Sequence, residues 1–528
     1  MTLAAFLAYA GLFIYRTSFV IGGERYFSLF DDAMVLMRYA RNLAHGFGLV
    51  WNPGAERVEG YTNPLWVLYM SLVHLLPIPA SKTSLVVQAT AAVFLALNLV
   101  YVRRIALELS SGSQAIAWGA LALTASYLPL NNWSLQGMEV SALVLLISVC
   151  LWLAVRALDT GTFPRELYLL LGVGTWIRPD IAVPFLAFIS FFLIFDRRNR
   201  RHHLAWGLAV FAGTYAAQTI FRLWYYGDAL PNTFYLKMTG VPPAVRITRG
   251  AYVLVQFVWK ANPILFALAG LTALRRDRRI WLLLWALAAQ MAYSVYVGGD
   301  AWEYWGGSNR YICIAMPGFF ILLSYALHDL IAAFAIGTQA DRAATRPTIS
   351  RAAPWTLAAA IVYAVMSVNT IHGAGALAEA LLIRPTLNAG PGGENQRDVE
   401  VALRLREATT PEATLAVVRA GTIPYFADRY SIDLLGKNDA HVARGPVRMP
   451  RRDLRFTDFR PGHMKTDFAY SIGERRPDAI LQLRQRTDEA KPFLREYVDR
   501  LLDDDCAYIR RESPNIVWPR LPAGECPP

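Results

Sequence analysis

The feature that most limits this chain is a series of apolar runs. A membrane crossing needs about 20 mostly apolar residues. Runs at about 3–20, 84–104, 114–131, 138–156, 166–178, 180–195, 203–225, 252–274, 279–297, 311–333 and 352–374 read as about eleven such crossings. The expected fold is therefore a polytopic α-helical membrane protein. Composition agrees: 55% of the 528 residues are hydrophobic and 17% charged, and mean hydropathy is +0.30, unlike a soluble chain of this length. No A-x-A cleavage site follows the first run, so it reads as a retained helix. The absence of an internal repeat argues against transporters built from inverted halves.

Orientation follows from charge. Pro64–Leu76 is apolar but only about 13 residues long, short for a crossing. If it lies on the membrane surface, Arg103/Arg104, Asp196–His203, Arg275–Arg279 and Asp341–Arg351 all share the side of the N-terminus. The positive-inside rule makes that side the cytoplasm. It also explains the net charge of +12, which in a soluble protein would suggest nucleic acid; no nucleic-acid motif is present. The opposite face then receives the first loop (21–83), Asn131–Val140, Arg178–Asp180, Tyr225–Lys237, Gly298–Tyr311 and the C-terminal region. The chain is thus expected to divide into a membrane region, 1–375, and an extracytoplasmic region, 376–528.

The C-terminal region has a different texture. "TLAVVRAG" reads as a buried strand, "IPYFADR" as a short helix, "YSIDLL" and "PDAILQL" as two more strands, and "QRDVEVALRLREA" as a helix. This predicts a small α/β domain. Cys150 and Cys313 fall in apolar runs, whereas Cys506 and Cys526 lie in this outer region. An oxidising compartment predicts a disulfide between the latter two, worth about 3 kcal/mol in the chain-entropy view. No zinc-ligand spacing is present.

The chemistry concentrates in the outward loops. Asp31 and Asp32 follow the first crossing and precede "AMVLMRYARNLA". One of them can cap that helix, and Asp32 is the better placed to do so. A cap does not account for two. The pair suits a general base, Asp31 by preference, or a divalent-cation ligand, although carboxylates alone do not establish a metal. "EGYTNPLW" reads as a cap and turn, Glu139 as a cap, and Arg178 with Asp180 as a tether between two crossings. Asp300, Glu303 and Arg310 accompany an aromatic, glycine-rich loop. His463 and Lys465 read individually as surface groups. Together these loops place carboxylates, cations and aromatics on one membrane face. Aromatic faces pack on sugar rings, carboxylates accept hydroxyl protons, and Arg or Lys holds phosphate.

The stretches "FSLFDDAMVLMRYARNLAHGFGLVWNPGAERVEGYTNPLW", "GMEV", "RPD", "LPNTFYLK", "GGD…NRY", "IDLLGKNDAHVAR" and "PGHMK" resemble the GT-C glycosyltransferases, and in particular the AftB-like arabinofuranosyltransferases of the actinobacterial cell envelope. The resemblance implies a polyprenyl-phosphate sugar donor such as decaprenyl-phospho-arabinofuranose. It also implies a cell-wall glycan acceptor such as arabinan, a plasma-membrane location, and a loop aspartate, Asp31 or Asp32, as the catalytic carboxylate. On this reading Arg38, Arg178, Lys237 and Arg310 are candidates for the donor phosphate. Glu59, Tyr61, Asn63, Glu139, Asp180, Asp300, Trp302, His463 and Lys465 are candidates for the sugars. A donor carrying another sugar such as mannose, or a protein acceptor, would suit the same design. A lipid-sugar flippase needs polar groups at mid-membrane, where the runs carry few. A scaffold has no need of the carboxylate pair.

Overall fold

The computed structural model describes residues 3–303, 309–340, 353–369, 389–448, 455–483, 486–503 and 505–526. The expected boundary at 375/376, the basic run 341–351 and part of the loop 298–311 lie outside the described residues.

Among the described residues every apolar run forms helix, but the runs do not all make straight crossings. Among the described residues five helices have the length and apolarity to cross a bilayer: Ala80–Leu109, Val140–Thr160, Arg200–Tyr226, Arg278–Val297 and Met316–Ala333. Others are short. Leu3–Thr17 has 15 residues and Arg165–Ile177 has 13, about 20 Å at 1.5 Å per residue. The expectation of about eleven crossings is therefore not met by these helices. Two breaks have local causes. The run 252–274 is two helices, Pro243–Lys260 and Pro263–Arg275, bent by 90°. Asn262 adopts φ 81° and caps the second helix by accepting from Ile264 N; Pro263 disfavours helix at the residue before it. The run 114–131 breaks after Ala125 and restarts at Leu128–Leu135, with Pro129 in the first turn, where its missing N–H costs nothing.

The first loop is not loosely exposed. Strands β1 (Phe19–Ile21) and β2 (Glu24–Tyr26) form a hairpin, and the helix Asp31–Ala44 follows. Its residues Ala33 to Ala40 are all buried, because it packs on Pro64–His74 from one side and on Thr422–Ala427 from another. Each Met or Tyr it buries contributes about 1.5–3 kcal/mol. Pro64–His74 buries Trp66, Val67 and Met70 and exposes Leu65, Leu68 and Leu72. That exposed stripe at helical spacing is the pattern of a helix lying against lipid.

Among the described residues the C-terminal region holds a five-stranded sheet in the order β4-β3-β5-β7-β6. Strand β3 (Thr414–Val417) pairs in parallel with β4 (Tyr430–Asp433) and β5 (Ala479–Leu481). Strands β6 (Tyr497–Leu502) and β7 (Asp505–Arg510) complete it antiparallel. The expected strands and the helix Glu394–Ala408 are present. Strands β6 and β7 escaped sequence reading because "YVDRLL" sets two charges side by side, "DCAYIR" is charged at both ends, and both strands are only half buried. Cys506 and Cys526 are bonded, with Cα atoms 5.6 Å apart, pinning the last residues to β7.

Candidate active site

A cavity of about 470 Å3 opens where the first loop, the helix Asn232–Met238, the loop around Asp300 and the C-terminal region meet. The Asp pair stands on its wall, and the two carboxylates have separate partners. Neither caps its own helix: the cap position is Phe30, with no side-chain cap bond. Asp31 Oδ1 instead accepts from Gly421 N at 3.1 Å and Thr422 N at 2.9 Å, capping the helix Thr422–Ala427 of the distant C-terminal region. Gly421 permits this approach, since a Cβ there would stand 2.0 Å from the Asp31 carbonyl oxygen. Asp32 faces cations: Lys437 Nζ at 2.8 Å and Arg310 Nη1 at 3.3 Å. The expected division, with Asp32 as cap and Asp31 turned to the reactants, is reversed in these contacts.

Electrostatics separate the pair further. Burial alone would raise the Asp32 carboxyl, but Lys437, Arg310 and Lys237 override it and hold it well below the usual carboxylate range. Burial raises Asp31, opposed by Arg419 and the Thr422 amide. Lys237 is lowered to about 8 by burial and by Arg310. His463 is pushed down to about 3 by burial and Arg460, so at neutral pH it is an uncharged wall.

The cavity has an excess of positive charge. Arg310 is held by Asp300 at 2.8 and 3.2 Å and stacks over Trp133 at 4.9 Å. Arg419 is matched by Glu394 and by Asp398, the latter at 2.9 Å. Lys237, Arg460 and Arg486 also line the cavity, and among the described residues none of the three has a carboxylate within ion-pair distance. Arg460 lies over Trp302 at 5.1 Å, and Trp302 meets His463 edge-on at 5.6 Å. The result is an anion site with aromatic walls, in which Asp32 stands ionised among the cations.

Of the expected residues, Asp31, Asp32, Lys237, Asp300, Trp302, Arg310 and His463 line this cavity. The others do not. Arg38 is a buried bolt, donating to Trp51 O at 2.6 Å, Pro424 O at 2.6 Å, Asn52 Oδ1 at 2.7 Å and Arg429 O at 2.8 Å. With its donors spent on these acceptors, it does not face a phosphate. Glu59 pairs with Arg222 at 2.8 Å. Tyr61 is buried, bonded to the Tyr226 hydroxyl at 2.9 Å. Asn63 accepts from Thr62 N beside Pro64. Lys465 Nζ donates to Tyr235 O, Thr239 Oγ1 and Ala443 O. Arg178 forks between Glu139 at 2.7 Å and Asp180 at 2.8 Å and lies over the ring of Tyr311 at 5.1 Å. Tyr311 lines the cavity, so this triad stands directly behind the wall.

Sequence reading missed Lys437, Glu394, Arg419, Arg460 and Arg486. "IDLLGKNDAHVAR" and "PGHMK" held part of the signal, but nothing local says that a lysine in a C-terminal turn reaches an aspartate 405 residues away. A divalent-cation site at the pair is not what these contacts describe. Asp31 faces amides and Asp32 faces ammonium and guanidinium, and among the described residues no group of three or more metal-ligating side chains forms.

This assembly of helices and C-terminal region is the GT-C fold of multi-pass membrane glycosyltransferases. ArnT from Cupriavidus metallidurans in the apo state matches over 96% of this chain and 97% of its own, with a TM-score of 0.55 and 14% identity. The oligosaccharyltransferase of Archaeoglobus fulgidus matches over 98% of this chain and 75% of its own, with a TM-score of 0.57 and 12% identity. In sequence, the terminal beta-(1->2)-arabinofuranosyltransferase of Mycobacterium tuberculosis is 29% identical over 221 residues, 39% of this chain and 34% of that protein. The match thus takes in about a third of the length of that curated relative. Residues 387–513 match a family model described as a domain of unknown function, DUF8728.

Proposed function

We propose that this chain is a glycosyltransferase that takes a sugar, arabinofuranose, from a polyprenyl-phosphate donor and adds it to a cell-envelope glycan on the outer face of the plasma membrane. The observation that carries the reading is Asp32 standing in a surplus of half-buried cations at one cavity. The mycobacterial relative named above supports the choice of arabinofuranose. ArnT crystallised with undecaprenyl phosphate, whose structure matches over 97% of this chain with a TM-score of 0.50, supports the choice of donor.

On this reading Asp32 has two states. Without donor it neutralises Lys437 and Arg310 and, held far below neutrality, is a weak base. A donor phosphate takes over those cations, and Lys237 with them. The Asp32 carboxylate, relieved of its partners, becomes more basic and accepts the proton of an acceptor hydroxyl. The hydroxyl oxygen bonds to the anomeric carbon, and the bond from that carbon to the phosphate oxygen breaks. The electron pair leaves on the lipid phosphate, whose charge the same cations hold. Trp302 and the uncharged His463 offer apolar faces for the sugar. A lipid phosphate is a leaving group that needs no nucleotide, which fits a compartment without nucleotide sugars.

The test is transfer by the purified protein in detergent from a panel of synthetic polyprenyl-phosphate sugars to a short arabinan, with the linkage identified. Transfer of arabinofuranose is expected. Transfer of a different sugar would overturn the choice of arabinofuranose. No transfer from any donor, by protein that still binds polyprenyl phosphate, would overturn catalysis in favour of lipid handling.

A further inference from the structure

We infer that Asn232 and Asp433 are positioning residues that build the phosphate site by clamping the turn that carries Lys437. The two lysines of this site come from opposite parts of the chain. Lys237 is on the helix Asn232–Met238, whereas Lys437 follows β4 in the C-terminal region. Something must set one against the other.

Asp433, at the end of β4, takes the turn from one side. Its Oδ1 accepts from Leu435 N at 2.9 Å and Gly436 N at 3.1 Å. Its Oδ2 accepts from Asn438 N at 2.8 Å and Asn438 Nδ2 at 2.9 Å. One buried carboxylate thus gathers the backbone on both sides of Lys437. Gly436 makes the turn with φ 77°, and a Cβ there would meet Val442 Cγ1 at 2.7 Å.

Asn232 takes it from the other side. Its Nδ2 lies 2.9 Å from Gly436 O, 3.1 Å from Lys437 O and 3.3 Å from Asp439 O. Its Oδ1 is buried without a hydrogen-bond partner, so the hydrogen bonds this side chain makes all go to the Lys437 turn. Asn232 opens the short helix that carries Lys237. The amide therefore ties the backbone of one lysine to the helix of the other. A side chain as long as lysine, with about 2 kcal/mol of rotamer freedom, gains most as an anion ligand when its Cα is fixed.

The inference rests on the phosphate reading above, and the experiment separates the two. Binding of a short-chain polyprenyl phosphate to the full-length protein is measured in detergent through tryptophan fluorescence, Trp302 lying in the cavity. Asn232→Ala is expected to weaken it about tenfold, the worth of one well-placed hydrogen bond. Lys437→Ala should weaken it at least as much. The double variant should be no worse than Lys437→Ala, because Asn232 acts through that lysine. Losses that multiply in the double variant, or an unchanged Asn232→Ala, would overturn the clamp. If Asn232→Ala does not fold, Asp433→Asn loosens the turn from the other side, and the same cycle with Lys437→Ala decides. Hydrogen exchange of the Leu435, Gly436 and Asn438 amides needs no ligand. Faster exchange in Asn232→Ala supports the clamp even if the wild type fails to bind lipid phosphate, a result that would sink the phosphate reading alone. Unchanged exchange sinks the clamp.

Discussion

At the scale of single residues, the Asp pair shows how neighbours divide two identical side chains. Asp31 ends in backbone amides and Asp32 in cations, so isosteric replacements should fail differently. Asp32→Asn removes the carboxylate that faces Lys437 and Arg310 in the cavity, and transfer should fall by about 10²–10⁴-fold with the melting temperature almost unchanged. Asp31→Asn keeps the oxygen that accepts from Gly421 and Thr422 but exchanges the carboxylate for an amide. It should cost about 1–3 kcal/mol of stability while the folded fraction transfers at a near-normal rate. Turnover per folded molecule, read beside thermal unfolding, separates the two. If Asp32→Asn transfers normally, the base has to be sought elsewhere on the cavity wall. The sequence singled out the pair but assigned the cap to Asp32, whereas Asp31 makes the capping bonds. A cap is a local inference from the helix that follows, whereas Asp31 caps a helix 390 residues further on, beginning at Gly421 and Thr422.

At the scale of elements, what was legible depended on whether the deciding contact was local. Apolar runs became helices because hydrophobicity over a dozen residues is a local property. The 90° bend at Asn262–Pro263 was also written locally, but counting apolar residues overlooks it. Strands β3, β4 and β5 are buried and read as such; β6 and β7, half exposed, did not. The helix Glu394–Ala408 was legible, but not the role of its buried Asp398. That carboxyl accepts from Arg419 at 2.9 Å and Gln482 at 3.0 Å. Burial pushes it up to about 7, with Arg419 opposing and Asp31 adding to the rise. A carboxyl raised in the folded state holds a proton that the unfolded chain releases above about pH 4. The native state then binds more protons through that window, so stability falls as pH rises and the loss is complete above about 7. Asp433, raised to about 6 by burial against its amide partners, adds in the same direction. Asp32, held low, has no part in this window. His463, held down to about 3, opposes them below about pH 6.5, so the melting temperature of the C-terminal region should rise as pH is lowered from 8 to about 6.5, and Asp398→Asn should flatten that slope. A slope of opposite sign in the wild type would show that this carboxyl is charged in the native state.

At the scale of the whole molecule, the cavity exists only where the first loop and the C-terminal region meet, and Arg38 is the joint. Its guanidinium links the Asn52 side chain and Trp51 carbonyl of the first loop to the carbonyls of Pro424 and Arg429. Arg41 adds a second tie, to Tyr425 O and Asp428. These contacts were illegible beforehand because each joins residues far apart in sequence, and an arginine in an outward loop reads more readily as a phosphate ligand. The distinction can be measured. Arg38→Met leaves several buried carbonyls without donors, a loss of about 1–3 kcal/mol for a buried acceptor left unsatisfied. It should lower the melting temperature, open the C-terminal region to protease, and reduce transfer in proportion to the folded fraction. Lys237→Met should do the reverse. Lys237 makes no ion pair among the described residues and is already pressed toward neutrality by burial and Arg310. Its removal should leave the melting temperature unchanged or slightly higher, while affinity for polyprenyl phosphate falls at least tenfold, the lower range for a hydrogen bond to a charged group. If Arg38→Met weakens lipid-phosphate binding at full folded occupancy, Arg38 belongs to the site after all. If Lys237→Met binds as the wild type does, the surplus cations of the cavity serve something other than a phosphate.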